Sequence, residues 1–243
     1  MEFKTRISKI EENDVDIRGE KLSSLIQGRF TDAVFLELSG RKPNENESVL
    51  FEKILICVID HGMGTTSSMA TRFVASGGNS LNTAVGGGIL SIGNYHGGAM
   101  ENAMKMIASF KDIPKEDLLS KFKEMLTNRQ VIYGIGHKHY KQGDPRVQWL
   151  LKTMNEIGYE SLHLHFKDAI EKAFEEVKGK KIHMNVDGLI AILLSDWGFD
   201  PLLGKGIFII GRTPGLVAQA YEELKFEKPV RRVSEDEIEY LSE

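Results

Sequence analysis

Four of the seven histidines stand beside glycine or among turn residues: His61 in DHG, His96 in NYHGGA, His137 in GIGHKHY, and His139 next to it. Imidazole exchanges a proton near neutral pH, and glycine lets backbone amides approach a ligand closely. One such histidine is more often a hydrogen-bonded structural residue; four in these settings point jointly to acid–base chemistry. Asp187, in MNVDGLIAIL, opens an apolar helical stretch. It either caps that helix or faces a dry cleft, where desolvation lets a carboxyl exchange protons with carbon as well as oxygen; the sequence leaves both uses open. Arg146 in GDPRV and Arg212 in GRTPG read as turn residues. There a guanidinium is either a bidentate clamp for a carboxylate or a surface ion pair or carbonyl cap. Zinc is the competing use of the histidines, but no cysteine pair, HExxH or other compact ligand spacing occurs, so no metal site is expected.

Groups of this kind need a rigid scaffold, and the apolar spacing predicts one made almost wholly of helix. Apolar residues recur at three and four over 20–28 and 31–38, each run ending near a glycine, as short amphipathic helices do. Residues 46–60 read as one helix whose end becomes apolar on several sides, delivering Asp60 and His61 to a buried terminus. The stretch 62–98 holds Gly77-Gly78, Gly86-Gly87-Gly88 and Gly97-Gly98. It is either a flexible loop or a set of closely packed helices, and Val85, Ile89, Leu90 and Ile92 favour packed helices. Helices are expected over 115–126, 147–157 and 162–177, with further helical signal over 188–194 and 207–224. Phe3, Ile7 and Ile10 alternate with charges, as a short strand or extended arm would. The tail after Pro229 is charged and expected to be exposed. No internal repeat or composition break marks an independent second domain.

At 243 residues, 41% hydrophobic and 27% charged, the chain is long enough to bury about 70 to 75% of its unfolded surface without a metal or disulfide. The 31 basic and 35 acidic residues leave a net charge of −4, so no global field favours nucleic acid or a membrane surface, and an anionic ligand must meet local cations. The single Cys57, within ILICVI, reads as a buried thiol and excludes a disulfide framework within one chain. No segment offers about 18 uninterrupted apolar residues and no leader is visible, which makes the cytoplasm the expected location.

Taken in order, DHG at 60–62, HGGA at 96–99, GIGHKHYKQGDPR at 134–146, NVDG at 185–188 and GRTPG at 211–215 resemble the citrate synthase superfamily. The likeness runs from about Ile17 to Arg232, with the GIGH to DPR block its most diagnostic part. Length, the opening DIRG and the NVDGLIA and GIFIIGR blocks are most similar to citryl-CoA lyase and the citryl-CoA lyase module of ATP-citrate lyase. Full-length citrate synthases carry substantially more chain.

The resemblance implies an all-α, citrate synthase-like fold: a large helical lobe from 1–97 and 199–243, and a smaller lobe, 98–198, that closes over the substrate. It implies that His96 stabilises the enol or enolate of acetyl-CoA, that His137 exchanges a proton at the carbinol oxygen, and that Asp187 exchanges one with the acetyl methyl carbon. His61, Arg146, Arg212 and, from a neighbouring subunit, Arg231 or preferably Arg232 would hold carboxylates. Gly134, Ile135 and Gly136, with Lys180 and Lys181 near a phosphate or the adenine, would form the CoA site. Lys138 departs from the family, where arginine is common.

The implied reaction is the cleavage of citryl-CoA to acetyl-CoA and oxaloacetate by a metal-free retro-aldol, with no cofactor beyond the CoA thioester. One alternative is a short citrate synthase of the tricarboxylic acid cycle that also hydrolyses the thioester; another is a non-catalytic CoA- or citrate-binding subunit. Expected partners are CoA or acetyl-CoA, oxaloacetate, citrate or citryl-CoA, a second copy in a homodimer or higher homo-oligomer, and a citryl-CoA synthetase.

Overall fold

The computed structural model describes residues 2–241. The chain divides into two compact units, Met1–Cys57 with Ala99–Ile207, and Val58–Gly98 with Phe208–Glu243. The expected lobes group 1–97 with 199–243, whereas residues 1–57 and 199–207 fall here with 99–198.

The first unit opens with a three-stranded antiparallel sheet in the order β1 (Ser8–Ile10), β2 (Val15–Ile17), β3 (Glu20–Lys21). Ile17 pairs with Glu20 across a two-residue turn in which Arg18 and Gly19 both have positive φ, 54° and 88°, the hairpin geometry that matches strand twist. The DIRG sequence is therefore a turn. Arg18 also donates from Nε to the Glu37 carbonyl, 3.1 Å, at the end of α2. The helix expected over 20–28 is corrected to β3 followed by a single turn, α1 (Leu22–Leu25), because Glu20 and Lys21 are taken by the sheet.

Helices α2 (Phe30–Ser39), α3 (Glu45–Cys57), α6 (Gly98–Ser109), α7 (Lys115–Thr127), α8 (Pro145–Glu156), α9 (His165–Lys178) and α10 (Val186–Asp196) complete this unit, apart from Gly98 at the start of α6. Phe35, Phe51, Trp197 and Phe199 form an aromatic cluster with ring centres 5.0 to 6.5 Å apart. α10 is buried on every side from Gly188 to Leu194, which explains its unbroken apolar sequence. α6 is a helix beyond those expected, and its sequence carries an amphipathic signal: Met100, Ala103, Met104 and Ile107 recur at three and four and are all buried.

The second unit holds α4 (Thr66–Ser76), α5 (Leu81–Leu90) and the part of α11 (Leu202–Phe226) from Phe208 onward. The glycine-rich stretch is packed helix, as its apolar residues predict. A Cβ on Gly88 would lie 2.0 Å from Thr71 Oγ1, and one on Gly87 would lie 2.8 Å from Val74. Ala75, Ala84 and Ala220 form one buried cluster, and Val58, Ile92, Phe208 and Leu216 are buried in the same unit. The tail is exposed except at Arg231, whose Nε and Nη2 donate to the buried Glu223 at 2.6 and 2.7 Å; Arg72 of α4 grips the same carboxylate at 3.0 Å. Among the described residues, no helix is long and apolar enough to cross a membrane.

Candidate active site

In the first unit, backbone contacts build the site. Gly136 N donates to the His183 carbonyl at 2.8 Å, Asn185 N donates to the Gly134 carbonyl at 3.0 Å, and Ile135 bridges Met184. The two backbones lie so close that a Cβ on Gly134 would stand 2.4 Å from the Gly188 α-carbon, and one on Gly188 would stand 2.3 Å from the Gly134 oxygen. Gly134 also has a φ of +78°, which a side chain would strain. The contact fixes His137, three residues on, to the N-terminus of α10, which carries Asp187. Asn185 caps that helix, accepting from Gly188 N. Asp187 is therefore not the cap and stands in the first turn, half-buried.

Asp144 has no part in the sequence expectations, yet it organises this half. Its buried carboxylate caps α8, accepts from Arg146 N, Nε and Nη2 at 3.0, 2.9 and 2.8 Å, and accepts from Val186 N at 3.0 Å. Burial pushes its carboxyl up, but the Arg146 hydrogen bonds and charge outweigh that and hold it below the usual range. Arg146, at the first turn of α8, also donates to the Cys57 carbonyl at 3.3 Å. Cys57 is half-buried rather than buried, and burial raises its thiol.

His137 Nδ1 accepts the backbone N–H groups of His139 and Tyr140, each at 3.1 Å. A cavity of about 280 Å³ is lined by Gly136, His137, Tyr140, Lys141, Lys181 and His183 among others. Lys180 and Lys181 are both exposed, and of the two Lys181 lines this cavity. Lys138 and His139 are exposed.

In the second unit, side chains do the positioning. His96 Nε2 lies 2.8 Å from Ser67 Oγ on α4, a fully buried hydroxyl, and its ring meets Phe208 edge-on at 5.7 Å. A Cβ on Gly97 would strike Phe208 and Ile92 at 2.7 and 2.8 Å, so glycine there permits the turn that holds His96. Burial, then the charges of Arg212 and His61, lower the His96 pKa below 6.5; its imidazole is neutral at pH 7. Arg212 is buried, donates from Nε to the Val58 carbonyl at 2.7 Å, and lies 5.0 Å from the Phe208 ring. The expected turn around Arg212 is corrected to helix: it lies within α11, where Pro214 removes one N–H without ending the helix. Residues 46–60 are corrected likewise. α3 stops at Cys57, and the next backbone lies against α11, with the Ile59 oxygen 2.2 Å from where a Gly215 Cβ would be. Asp60 is exposed and His61 half-buried, so that terminus is not buried. Arg232 is exposed in the tail.

A model of the citrate synthase C-terminal domain matches residues 3–233. The chain belongs to the citrate synthase family. Citryl-CoA lyase from Hydrogenobacter thermophilus is 42% identical, with a TM-score of 0.93 over 99% of this chain and 95% of that one. ATP citrate lyase from Methanothrix soehngenii, solved with citrate and coenzyme A, has the same fold at 22% identity and a TM-score of 0.84, over 100% of this chain and 42% of that one. Citrate synthase from Heyndrickxia coagulans is 30% identical over 191 residues, 76% of this chain and 50% of that protein. The chain spans about half the length of the curated citrate synthases it matches. The all-helical, citrate synthase-like expectation holds, with the small N-terminal sheet as an addition.

Gly134, Ile135, Gly136, His137, Arg146 and Asp187 fall in the first unit, and His61, His96 and Arg212 in the second. Ser67, Asp144 and Asn185 lie outside the residues that sequence reasoning selects. Only Asp144 and Asn185 carry a readable signal, as cap residues directly before Pro145 and three residues before Gly188. Among the described residues, no group of three or more His, Cys, Asp or Glu could hold a metal ion.

Proposed function

We propose that the chain is a citryl-CoA lyase that cleaves citryl-CoA to acetyl-CoA and oxaloacetate by a metal-free retro-aldol. The observation that carries this reading is the 42% identity to a citryl-CoA lyase over 99% of this chain, against 30% identity to a citrate synthase over 76% of it. In the bond-forming direction Asp187 takes a proton from the acetyl methyl carbon and neutral His96 donates a hydrogen bond to the thioester enolate. The enolate attacks the ketone carbon of oxaloacetate, His137 gives a proton to the oxygen that becomes the hydroxyl, and the proton taken up by Asp187 replaces it by way of solvent. Cleavage is the reverse, with the C–C electron pair returning to the enolate. His61, Arg146 and Arg212 hold carboxylates, and Gly134 to Gly136 with Lys181 receive CoA.

A second copy completes the assembly. The second unit leaves Met69, Phe73, Leu90, Val217, Tyr221 and Leu224 exposed, an apolar surface that a homodimer face would cover. Arg231, held on Glu223, fixes the segment from which Arg232 reaches the partner copy. Phe73→Glu with Tyr221→Glu is expected to yield a monomer by light scattering; an unchanged oligomer refutes that face.

Product analysis tests the activity. The chain given citryl-CoA is expected to release acetyl-CoA and oxaloacetate; citrate and free CoA would make it a short citrate synthase, and CoA binding without turnover a non-catalytic subunit.

A further inference from the structure

The segment 179–185, between α9 and α10, has no regular structure beyond the bridge from Met184 to Ile135, yet it is the wall between two cavities. One is the cavity of about 280 Å³ beside His137; the other, about 550 Å³, runs along α9, and Lys181, Ile182 and His183 line both. One edge of this wall is held by Gly134 and Gly136, through the His183 carbonyl and Asn185 N. Where an antiparallel bridge is bonded at its flanking residues, the bridging residue turns its own N–H to the opposite edge. Met184 is 3% exposed, so that N–H needs an acceptor. Glu171 of α9 supplies it: Oε1 accepts from Met184 N at 2.9 Å, while Oε2 accepts from Lys167 Nζ, one turn earlier, at 3.1 Å and lies 3.8 Å from His183 Nδ1.

We propose that Glu171 is a positioning residue for CoA binding: its carboxylate, steadied by Lys167, clamps the free edge of residues 181–184 and so keeps Lys181 in the cavity beside Gly136. The start of α10 does not depend on this clamp, because Asn185 caps it and Asp144 accepts from Val186 N. Asp187 therefore keeps its place when Glu171 is lost, and the effect falls on the binding of the CoA portion and not on the chemical step. Charge works against the clamp, since a carboxylate near a phosphate site repels the ligand; reach and charge thus make opposite predictions. The link to CoA rests on the role given above to Lys181 and Gly134 to Gly136; the clamp itself does not.

The experiment compares two variants of the full chain by calorimetric titration with CoA and by citryl-CoA kinetics. Glu171→Asp keeps the charge and loses the reach to Met184 N; Kd for CoA and KM for citryl-CoA are expected to rise about tenfold, with kcat within about twofold of the wild type. Glu171→Gln keeps the reach and loses the charge; both constants are expected to stay within about twofold. Wild-type constants in Glu171→Asp, or a kcat that falls there while KM holds, overturn the proposal, as does weakening in Glu171→Gln equal to that in Glu171→Asp. A wild type that binds no CoA overturns the CoA reading instead. Hydrogen exchange at Met184 N–H then decides the clamp: faster exchange in Glu171→Asp than in the wild type upholds it, and equal exchange overturns it.

Discussion

The two units hold their chemistry by different means. In the first, glycine lets two backbones approach, carbonyls and amides fix the segment before His137 against the start of α10, and buried Asp144 ties α8 to it. In the second, His96 depends on side chains, the Ser67 hydroxyl and the Phe208 ring. Backbone-built sites tolerate almost no change at the contact, because a methyl group has nowhere to go. Side-chain-built sites lose one interaction at a time. The contrast predicts that equally conservative substitutions do more damage in the first unit.

The largest effect is expected for Asp144→Ala. It strands the Arg146 guanidinium and the Val186 N–H, and about 3 to 5 kcal/mol of stability is lost along with turnover, measured by urea unfolding and acetyl-CoA release. Glu223→Ala in the second unit also leaves a buried arginine short of its partner, but Arg72 retains Gln219 and Glu222. The expected loss is therefore smaller, about 2 to 3 kcal/mol, and an equal loss would erase the contrast at the level of stability. Ser67→Ala should cost about 1 kcal/mol and roughly tenfold in kcat, with KM for citryl-CoA steady.

Acidification gives the smallest effect. The folded-state pKa of His96 lies below 6.5, so from about pH 6.5 downward the unfolded chain takes up a proton that the folded chain refuses. Stability is full above 6.5 and is lost as pH falls through the folded value. His165 in the first unit, lowered mainly by burial, contributes with the same sign. His96→Gln should flatten the slope in part and His96→Gln with His165→Gln further; an unchanged slope in both contradicts the assignment.

Periodicity makes the helices over 115–126, 147–157 and 162–177 legible to within a few residues of α7, α8 and α9, because each has one apolar face and one charged face. It fails where tertiary context outweighs it. Glu20 and Lys21 are claimed by a hairpin whose Arg-Gly turn looks ordinary in sequence, and GRTPG, with two glycines and a proline, stays helical inside α11. The order of the histidine and glycine motifs makes the family legible. What those motifs do not carry is the set of supporting groups, since the Ser67 hydroxyl that meets His96 lies 29 residues away in a stretch with no chemical signature of its own.

The most direct test is the rate of acetyl-CoA formation from citryl-CoA by the wild type, by His137→Ala and Asp187→Asn in the first unit, and by His96→Gln in the second, each verified as folded by circular dichroism. Loss of at least about a hundredfold in kcat in all three variants, against a wild type that cleaves, is the predicted result. Wild-type rates in His137→Ala or Asp187→Asn would contradict it.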